Sequence, residues 1–358
     1  MKNTTKVVVA MSGGVDSSVA AALLKKQGYD VIGVTMQLWP NSAKAMSGKP
    51  DKCCSLSAVE DARRVANQLG IPYYVLNFKD IFKKKVIDNF VKEYNFGRTP
   101  NPCIRCNELV KFDALLRKAK ELGADYLATG HYARIVKKGK KYLLKKGKDP
   151  AKDQSYFLYP LSQKALSMTL FPVGELTKVE VRKIAKKLGL KVADKKESQE
   201  ICFVEGSIAP FFKLKEGNII DLKGKIIGKH KGYQLYTVGQ RKGLGLSRPE
   251  PSYVTKIDPK NNEITAGNRG DVLGDDLIAS NIYWLSIPGL KGKMTVKASI
   301  RYKNPESIAQ IMPLSQGKIR VMFKKTQFAI TPGQSVVFYD GDTVIGGGII
   351  EETGRNRA

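Results

Sequence analysis

Hydrophobic and polar positions follow two different patterns along the chain, and the change falls near residue 206. In the first 200 residues, short apolar runs alternate with longer segments of helical period. This alternation predicts strands followed by helices, and hence a doubly wound parallel sheet. The predicted strands are Lys6–Met11, Asp30–Leu38, Ile71–Phe78 and Asp125–Ala128. The predicted helices are Asp16–Gln27, Ser57–Gly70, Ile81–Tyr94, Asn107–Leu122 and one that begins at Thr177, with capping boxes at Ser57–Glu60 and Thr177–Glu180.

After about Gly206, short alternating runs are separated by glycine turns instead of helices. Runs of this kind predict small antiparallel β units, such as barrels or sandwiches. We therefore expect an α/β domain with a Rossmann-like, doubly wound parallel sheet over residues 1–206. Two small antiparallel β domains would follow, over residues 207–274 and 275–358.

The charge balance is the unusual feature of the composition. The 358 residues include 61 Lys and Arg against 33 Asp and Glu, for a formal net charge of +28. A surface this basic favours a polyanionic partner, most often a nucleic acid. No apolar run approaches the roughly 20 residues that a membrane span needs, so we expect no membrane contact. Five cysteines are too few for a disulfide scaffold and the N-terminus lacks signal-peptide features, so we expect a cytoplasmic protein.

The segment Ser12–Ser18 (SGGVDSS) connects the first predicted strand to the first predicted helix. Its glycines let the backbone approach a phosphate closely, and the helix N-terminus adds free amides and a positive dipole. Its three serines add hydroxyl donors. The segment lacks the lysine and the spacing of a Walker loop. It therefore predicts a phosphate cradle in which no lysine of the loop reaches toward a γ-phosphate.

This segment resembles the signature of the PP-loop ATP pyrophosphatases, which split ATP between its α and β phosphates to adenylate an oxygen. Further segments make the chain similar to the tRNA-specific 2-thiouridylases over nearly its whole length. They are Asn101–Asn107 (NPCIRCN), Thr129–Tyr132 (TGHY), Lys152–Leu158 (KDQSYFL) and Gly239–Gly245 (GQRKGLG). The resemblance implies ATP-dependent replacement of the C2 oxygen by sulfur in the wobble uridine of the tRNA anticodon. It also implies Mg²⁺ as a cofactor, for which Asp16 is the expected partner.

The chemistry of that reaction requires a sulfur nucleophile. Adenylation turns the C2 oxygen into part of AMP, which is a good leaving group, and cysteine is the natural carrier of the incoming sulfur. Cys106 lies just before a predicted helix, where a thiolate is stabilised. By the resemblance, Cys202 carries a persulfide, and Cys106 is the second catalytic thiol, which forms a transient disulfide with Cys202. A cysteine desulfurase or a sulfur-relay protein would load Cys202.

The resemblance also implies the binding residues. Those for ATP are Ala10, Met11, Ser12, Gly13, Gly14, Val15, Asp16, Ser17, Met36 and Gly130. Those for the target base are Asn101, Pro102 and Cys103. Those for tRNA, including its anticodon stem-loop, are His131, Lys152, Asp153, Gln154, Arg301, Tyr302 and Gln334. An arginine beside a tyrosine offers phosphate pairing and base stacking together.

The cysteines leave an alternative open. Many family members have Asp at the position of Cys103, and the additional thiol here would allow Cys103, Cys106 and Cys202 to hold a [4Fe–4S] cluster. The adjacent Cys53 and Cys54 are expected at packed or loop positions.

Two other function classes also remain open. A different PP-loop synthetase, such as a lysidine-forming or amidotransferase-linked enzyme, needs no paired catalytic thiols. An RNA-binding module without enzymatic activity would bind tRNA without releasing AMP or pyrophosphate. The lysine cluster at Lys137–Lys152 is either part of an RNA-binding surface or a solvated hairpin.

Overall fold

The computed structural model describes residues 4–38, 56–195, 201–204 and 206–354, which separate into two compact units. The first unit contains the described parts of Met1–Val86, Cys103–Glu205 and Asp342–Val344. The second contains the described parts of Ile87–Pro102, Gly206–Gly341 and Ile345–Ala358. Of the described helices, none has the length and the apolar character needed to cross a lipid bilayer.

A parallel sheet forms the centre of the first unit. The strands of this unit are β1 (Lys6–Ala10), β2 (Asp30–Gln37), β3 (Tyr73–Asn77), β4 (Tyr126–Thr129), β5 (Ala133–Lys138), β6 (Lys141–Lys146) and β7 (Thr169–Leu170). Five of them pair in the order β3-β2-β1-β4-β7, and every pair is parallel. Val7, Val8 and Val9 of the central strand are fully buried, as expected where a parallel sheet is covered on both faces. The predicted parallel α/β fold is confirmed.

Helical segments lie at each of the five positions that the hydrophobic period predicts, and the structure adds two short helices, Pro102–Cys106 and Gln163–Ser167, that were not predicted. They are α1 (Val15–Lys26), α2 (Leu56–Leu69), α3 (Lys79–Phe82), α4 (Asp88–Asn95), α5 (Pro102–Cys106), α6 (Leu116–Glu121), α7 (Gln163–Ser167) and α8 (Lys178–Lys187). A π-helical stretch at Lys83–Ile87 joins α3 to α4, and another at Asn107–Leu115 joins α5 to α6. Side chains of α1, α2 and α8 share one hydrophobic core with β1 and β2.

The structure confirms one of the two predicted capping boxes. At α8, the Thr177 hydroxyl accepts a hydrogen bond from the Glu180 backbone N–H (3.3 Å), and the Glu180 carboxylate accepts one from the Thr177 backbone N–H (2.6 Å). The hydrogen bonds that the Thr177 backbone and hydroxyl donate lower the pKa of Glu180. The box at Ser57–Glu60 is wrong, because α2 begins at Leu56 and Ser57 therefore lies inside the helix.

Strands β5 and β6 form an antiparallel hairpin that carries much of the lysine cluster, and residues 136–141 at its turn are exposed. At the other end of the hairpin, Arg134 and Lys145 both pair with Asp342, at 2.7 and 3.1 Å. Part of the lysine excess in this unit is therefore neutralised within the fold, while the lysines at the turn face solvent.

The described part of the second unit is mainly β structure. Its strands are β8 (Gly217–Ile220), β9 (Ile226–His230), β10 (Tyr253–Asp258), β11 (Glu263–Gly267), β12 (Leu273–Trp284), β13 (Met294–Ser299), β14 (Ser307–Pro313), β15 (Ile319–Phe328), β16 (Ser335–Asp340) and β17 (Thr343–Thr353), the last of which begins in the first unit. Strands β12 to β17 close into a barrel in the order β12-β15-β14-β13-β16-β17, because β17 pairs back with β12. The smaller sheet has the order β10-β11-β8-β9. The antiparallel expectation is wrong for one pair in it, since β11 and β8 run parallel.

Residues 87–102, which the sequence places in the first domain, pack within the second unit. Phe90 of α4 contacts Phe211 at a ring-centroid distance of 5.8 Å. Further along, the Thr99 backbone N–H donates to the Pro332 carbonyl (2.9 Å). These contacts hold the chain that leads to the predicted target-base segment against the β structure.

Candidate active site

The loop between β1 and α1 has the backbone conformation of a phosphate cradle. Gly13 has a φ of +71°, a region that favours glycine, and a Cβ there would overlap the carbonyl of Ala58 on α2. Gly14 is the extended N-cap residue of α1, and no side chain of the described residues caps this helix end. The amides of the first turn and the helix dipole therefore suit a bound anion.

Hydroxyl groups fix this loop from within. The Ser17 Oγ accepts a hydrogen bond from the Ser12 backbone N–H (3.1 Å) and donates one to the Gly14 carbonyl (3.2 Å). The Ser18 hydroxyl donates to the same carbonyl at 2.9 Å. Because these bonds hold the loop without a ligand, little conformational freedom is left to be lost when a nucleotide binds.

Two residues that are distant in the sequence hold the carboxylate of Asp16. The Lys178 ammonium lies 2.7 Å from one carboxylate oxygen and 2.8 Å from the other, and the Tyr132 hydroxyl donates to the carboxylate at 2.7 Å. Lys178 is the first residue of α8, and Tyr132 follows β4. Sequence reasoning missed Lys178, because 162 residues separate it from Asp16. The one local signal was the capping box at which its helix begins.

A second lysine reaches the same loop. The Lys195 ammonium donates to the Gly13 carbonyl at 3.2 Å and pairs with Asp61 of α2 at 2.6 Å. Lys195 is the last described residue before the segment 201–204, which contains Cys202. No sequence pattern pointed to this contact.

Gly130 lies directly against the first turn of α1. A Cβ at this position would lie 2.6 Å from the Ser17 amide nitrogen and 2.7 Å from the Asp16 carbonyl carbon. The close approach that this glycine permits is therefore made to the loop that would bind nucleotide. Met36, near the end of β2, is 8% exposed. The contacts of Gly130 and Met36 with the nucleotide itself stay predictions.

Two of the candidate thiols lie on the short helix α5. Cys103 is exposed, whereas Cys106 is buried. The next residue, Asn107, is 2% exposed, and its side-chain amide donates to the Phe157 carbonyl at 3.1 Å. This hydrogen bond connects the C-terminal end of α5 to the segment Lys152–Leu158, which the sequence analysis treated as a separate motif.

Cys202 lies in the described segment 201–204 of the same unit and is half-buried. Its neighbour Phe203 packs edge-on against Phe82 of α3, with ring centroids 5.7 Å apart. This contact gives the Cys202 segment an apolar anchor in the first unit, while the thiol keeps partial access to solvent.

The described thiols form neither a disulfide nor a metal site. No disulfide involves Cys103, Cys106 or Cys202, so the predicted transient disulfide has no counterpart in this structure. Among the described residues, no group of three or more His, Cys, Asp or Glu is arranged to hold a metal ion. The three cysteines therefore do not fit an iron–sulfur cluster in this conformation. Cys53 and Cys54 lie outside the described residues.

His131 lies among aromatic rings and is only partly exposed to solvent. The rings of Phe112 and Phe171 lie at centroid distances of 5.9 Å, and the Thr129 hydroxyl lies 2.7 Å from Nδ1. Burial, together with the nearby charge of Lys111, lowers the pKa of His131 well below 6.5. The ring is therefore neutral near pH 7. A contact with tRNA, which stays a prediction, would use this neutral ring and not a positive charge.

The side chains of Asp153 and Gln154 form hydrogen bonds with neighbouring residues of the protein. Asp153 accepts hydrogen bonds from the Gly147 backbone N–H (2.9 Å) and from the Ser155 hydroxyl (2.8 Å). Burial raises the pKa of Asp153, although these bonds oppose the shift. The Gln154 side chain accepts from the Tyr132 backbone N–H at 3.0 Å. These residues thus support the Gly130–Tyr132 turn, and their contact with tRNA stays a prediction.

The second unit contains the remaining predicted tRNA residues. The Arg301 guanidinium donates to the Phe328 carbonyl at 3.2 Å and lies 6.0 Å from the centre of that ring. Tyr302 follows it in the chain. Gln334 contacts a different part of this unit: its side-chain amide donates a hydrogen bond to the Thr99 carbonyl at 2.8 Å. The structure therefore brings Gln334 close to the chain that precedes Asn101.

A parallel sheet with a glycine-rich loop before its first helix defines the first unit as a PP-loop type of nucleotide-binding α/β fold, which is followed by β domains. Three family models match the chain in the same order. They are the tRNA methyl transferase HUP domain over residues 5–206, the tRNA methyl transferase PRC-barrel domain over residues 205–268, and the aminomethyltransferase beta-barrel domain over residues 274–350.

Full-length relatives narrow this class. A tRNA-specific 2-thiouridylase MnmA from Acetivibrio thermocellus is 55% identical over 97% of this chain and 99% of its own length. Proteins of the same name from Clostridium botulinum (strain Eklund 17B) and Clostridium perfringens are each 54% identical over 97% of this chain and 98% of their own. The chain belongs to the MnmA family of tRNA-specific 2-thiouridylases. A solved 4-thiouridine synthetase–RNA complex with bound ATP is 20% identical with a TM-score of 0.35, over 56% of this chain and 45% of that one, which is too low to add to the assignment.

Proposed function

We propose that this protein is a tRNA-uridine 2-sulfurtransferase that converts the wobble uridine of tRNA to 2-thiouridine with consumption of ATP. The observation that carries the proposal is the presence, in one compact unit, of the uncapped glycine loop at α1 and of the two reduced cysteines Cys106 and Cys202. The full-length similarity to proteins named 2-thiouridylases supports it. A methyl transfer, which the family-model descriptions mention, would leave these thiols without a role.

The first chemical step is adenylation of the uridine. The loop amides and the N-terminus of α1 hold the phosphates of ATP. The C2 oxygen of uridine attacks the α-phosphorus, and the bond to the leaving pyrophosphate breaks. Mg²⁺, when bound, would offset phosphate charge, and the Asp16 carboxylate fits it as an oxygen ligand. The uridine now carries AMP on its C2 oxygen, so that a later C–O cleavage has a good leaving group.

The second step transfers sulfur. The terminal sulfur of a Cys202 persulfide attacks C2 and forms the new C–S bond. The Cys106 thiolate attacks the Cys202 Sγ, which breaks the persulfide S–S bond and leaves its electron pair on the transferred sulfur. AMP then departs and the C=S bond forms, while Cys106 and Cys202 are left as a disulfide. An external thiol reduces that disulfide, and a cysteine desulfurase or a sulfur-relay protein loads Cys202 again.

The substrate in this proposal is tRNA, recognised through its anticodon stem-loop in the reducing cytoplasm. The net charge of +28 supports a polyanionic partner. The segment Asn101–Cys103 would lie beside the flipped target base, and Arg301 with Tyr302 would contact tRNA through a phosphate and a base.

The test is the formation of 2-thiouridine in tRNA, measured by mass spectrometry or by retardation in a mercury gel. The wild-type protein, supplied with ATP, tRNA and a persulfide donor, should form the product, and omission of ATP should abolish it. Cys106→Ser and Cys202→Ser should each abolish the product, because each removes one sulfur of the transfer step. Full activity in either variant would show that the mechanism is wrong.

Cys103→Asp separates the persulfide mechanism from the cluster alternative. The persulfide route needs only Cys106 and Cys202, so this variant should keep its activity. Anaerobic iron and sulfide analysis, with activity measured before and after chelation, gives the complementary reading. The non-enzymatic alternative predicts tRNA binding without release of AMP or pyrophosphate, and a different PP-loop synthetase would remain active without the thiols.

A further inference from the structure

The nucleotide loop contains no lysine, yet the fold brings two to it: Lys195 contacts the Gly13 carbonyl, and Lys178 contacts the carboxylate of Asp16. Lys178 is 8% exposed, and its ammonium contacts both carboxylate oxygens of Asp16 in the first turn of α1. Burial of an ammonium is costly unless the charge is paired and hydrogen-bonded. A buried lysine at this place is therefore maintained by specific polar contacts and not by packing alone.

The electrostatics around Lys178 favour an anion in addition to Asp16. Lys178 is the first residue of α8 and lies against the first turn of α1, so its charge is close to the positive ends of two helix dipoles. Helix starts normally favour acidic residues, and a cation there is unfavourable unless negative charge is nearby. Asp16 supplies one carboxylate for this purpose. The N-terminus of α8 is already satisfied by its capping box and by the Asp149 carboxylate, whereas the loop amides and the uncapped N-terminus of α1 remain as positive potential beside the Lys178 ammonium.

The backbone of Lys178 is fixed on several sides. Its N–H donates to the Asp149 carboxylate at 2.9 Å, and the capping box of Thr177 and Glu180 holds the turn in which it lies. The Tyr132 ring centre lies 5.8 Å from the ammonium. A long side chain on a rigid backbone can exchange one anionic partner for another nearby through small torsional changes.

We propose that Lys178 is the phosphate-binding cation of this site. Its ammonium holds Asp16 when no nucleotide is bound and pairs with the β- and γ-phosphates of ATP, the part that leaves as pyrophosphate. This part carries most of the negative charge of ATP, and it is therefore the part that the N-terminus of α1 and the ammonium together attract most strongly. Lys178 thus has the role that a lysine within the loop has in Walker-type sites. The inference rests on the proposed ATP-dependent function.

The test compares the affinities for ATP and AMP, because AMP lacks the two phosphates in question. Isothermal titration calorimetry gives both dissociation constants for the wild type and for Lys178→Met, which keeps an unbranched side chain only one atom shorter and removes its charge. The variant should bind ATP about tenfold more weakly or worse, which corresponds to the loss of one charge-assisted hydrogen bond, while its affinity for AMP stays unchanged. Lys183→Met is the matched control, since Lys183 is exposed on the same helix, and both affinities should stay at the wild-type values.

The same measurements can overturn the inference. Equal weakening of ATP and AMP binding in Lys178→Met would show that Lys178 only maintains the shape of the loop, and unchanged ATP binding would show that it has no part in binding. A second comparison uses Asp16→Asn and the double variant Asp16→Asn/Lys178→Met. In both of these variants the Asp16 carboxylate is absent, so loss of the lysine does not leave that negative charge beside the nucleotide. The preference for ATP over AMP should persist in the first and fall about tenfold in the second, and an equal preference in both contradicts the inference. If the wild type thiolates tRNA while Lys178→Met keeps its ATP preference, this inference fails and the proposed function stands.

Discussion

Substitution of Gly130 by alanine tests whether the end of β4 must lie directly against the nucleotide loop. The added Cβ would lie 2.6 Å from the Ser17 amide nitrogen and 2.7 Å from the Asp16 carbonyl carbon, well inside van der Waals contact. Both neighbours are backbone atoms of α1, and they cannot rotate away as the end of a flexible side chain can. Overpacking of a well-packed interior costs about 1–3 kcal/mol.

Thermal unfolding followed by circular dichroism measures this effect. For a unit of this size, each kcal/mol lowers the melting temperature by about 2–4 °C, so Gly130→Ala should lower it by roughly 2–12 °C. The affinity for ATP should fall as well, because the first turn of α1 must shift. Gly292→Ala is the control, since a Cβ there meets no atom within 4 Å, and its stability should change by less than about 0.5 kcal/mol. If Gly130→Ala melts and binds ATP as the wild type does, the packing argument is refuted.

Two further predictions concern pH and RNA. Because burial lowers the pKa of His131 below 6.5, the unfolded chain binds more protons than the folded protein, and stability should decrease as the pH falls below 6.5. Urea unfolding at several pH values should show a smaller decrease for His131→Gln, and an unchanged decrease would contradict the assignment. Arg301→Gln should reduce the slope of log Kd for tRNA against log salt concentration by about 0.7–0.9, the value for one lost phosphate contact. Arg117→Gln removes the same charge from an exposed pair with Asp113, and an equal effect of both variants would show that only net charge matters.

Some features of the fold could be predicted from local sequence. The apolar run of β1 and the glycines that follow it specify a buried strand and a tight turn, and both signals lie within a few neighbouring residues. The capping box at Thr177 is equally local, because its donors and acceptors are three residues apart. The box at Ser57 failed because α2 already includes Leu56, so that Ser57 lies inside the helix and cannot be its N-cap.

The family resemblance of the motifs identified residues for the candidate site but not their surroundings. It singled out Asp16 without its partner Lys178, and His131 without the rings that lower its pKa. It also treated Gln334 as a residue of the last domain, whereas its amide bonds to Thr99. In each case the missing information is a contact between residues far apart in the chain.

By itself, the sequence determined the alternation of the main strands and helices in the first 200 residues, the position of the nucleotide loop and the basic character of the protein, because periodicity, turn residues and charge are local or additive properties. Only the tertiary structure decided that residues 87–102 pack with the β region, that β11 pairs in parallel with β8, and that Lys178 supplies a cation to a loop that has none. Such contacts depend on how packed elements meet in space. A hydrophobic period specifies which face of an element is buried, but it does not specify which distant side chain will lie against that face.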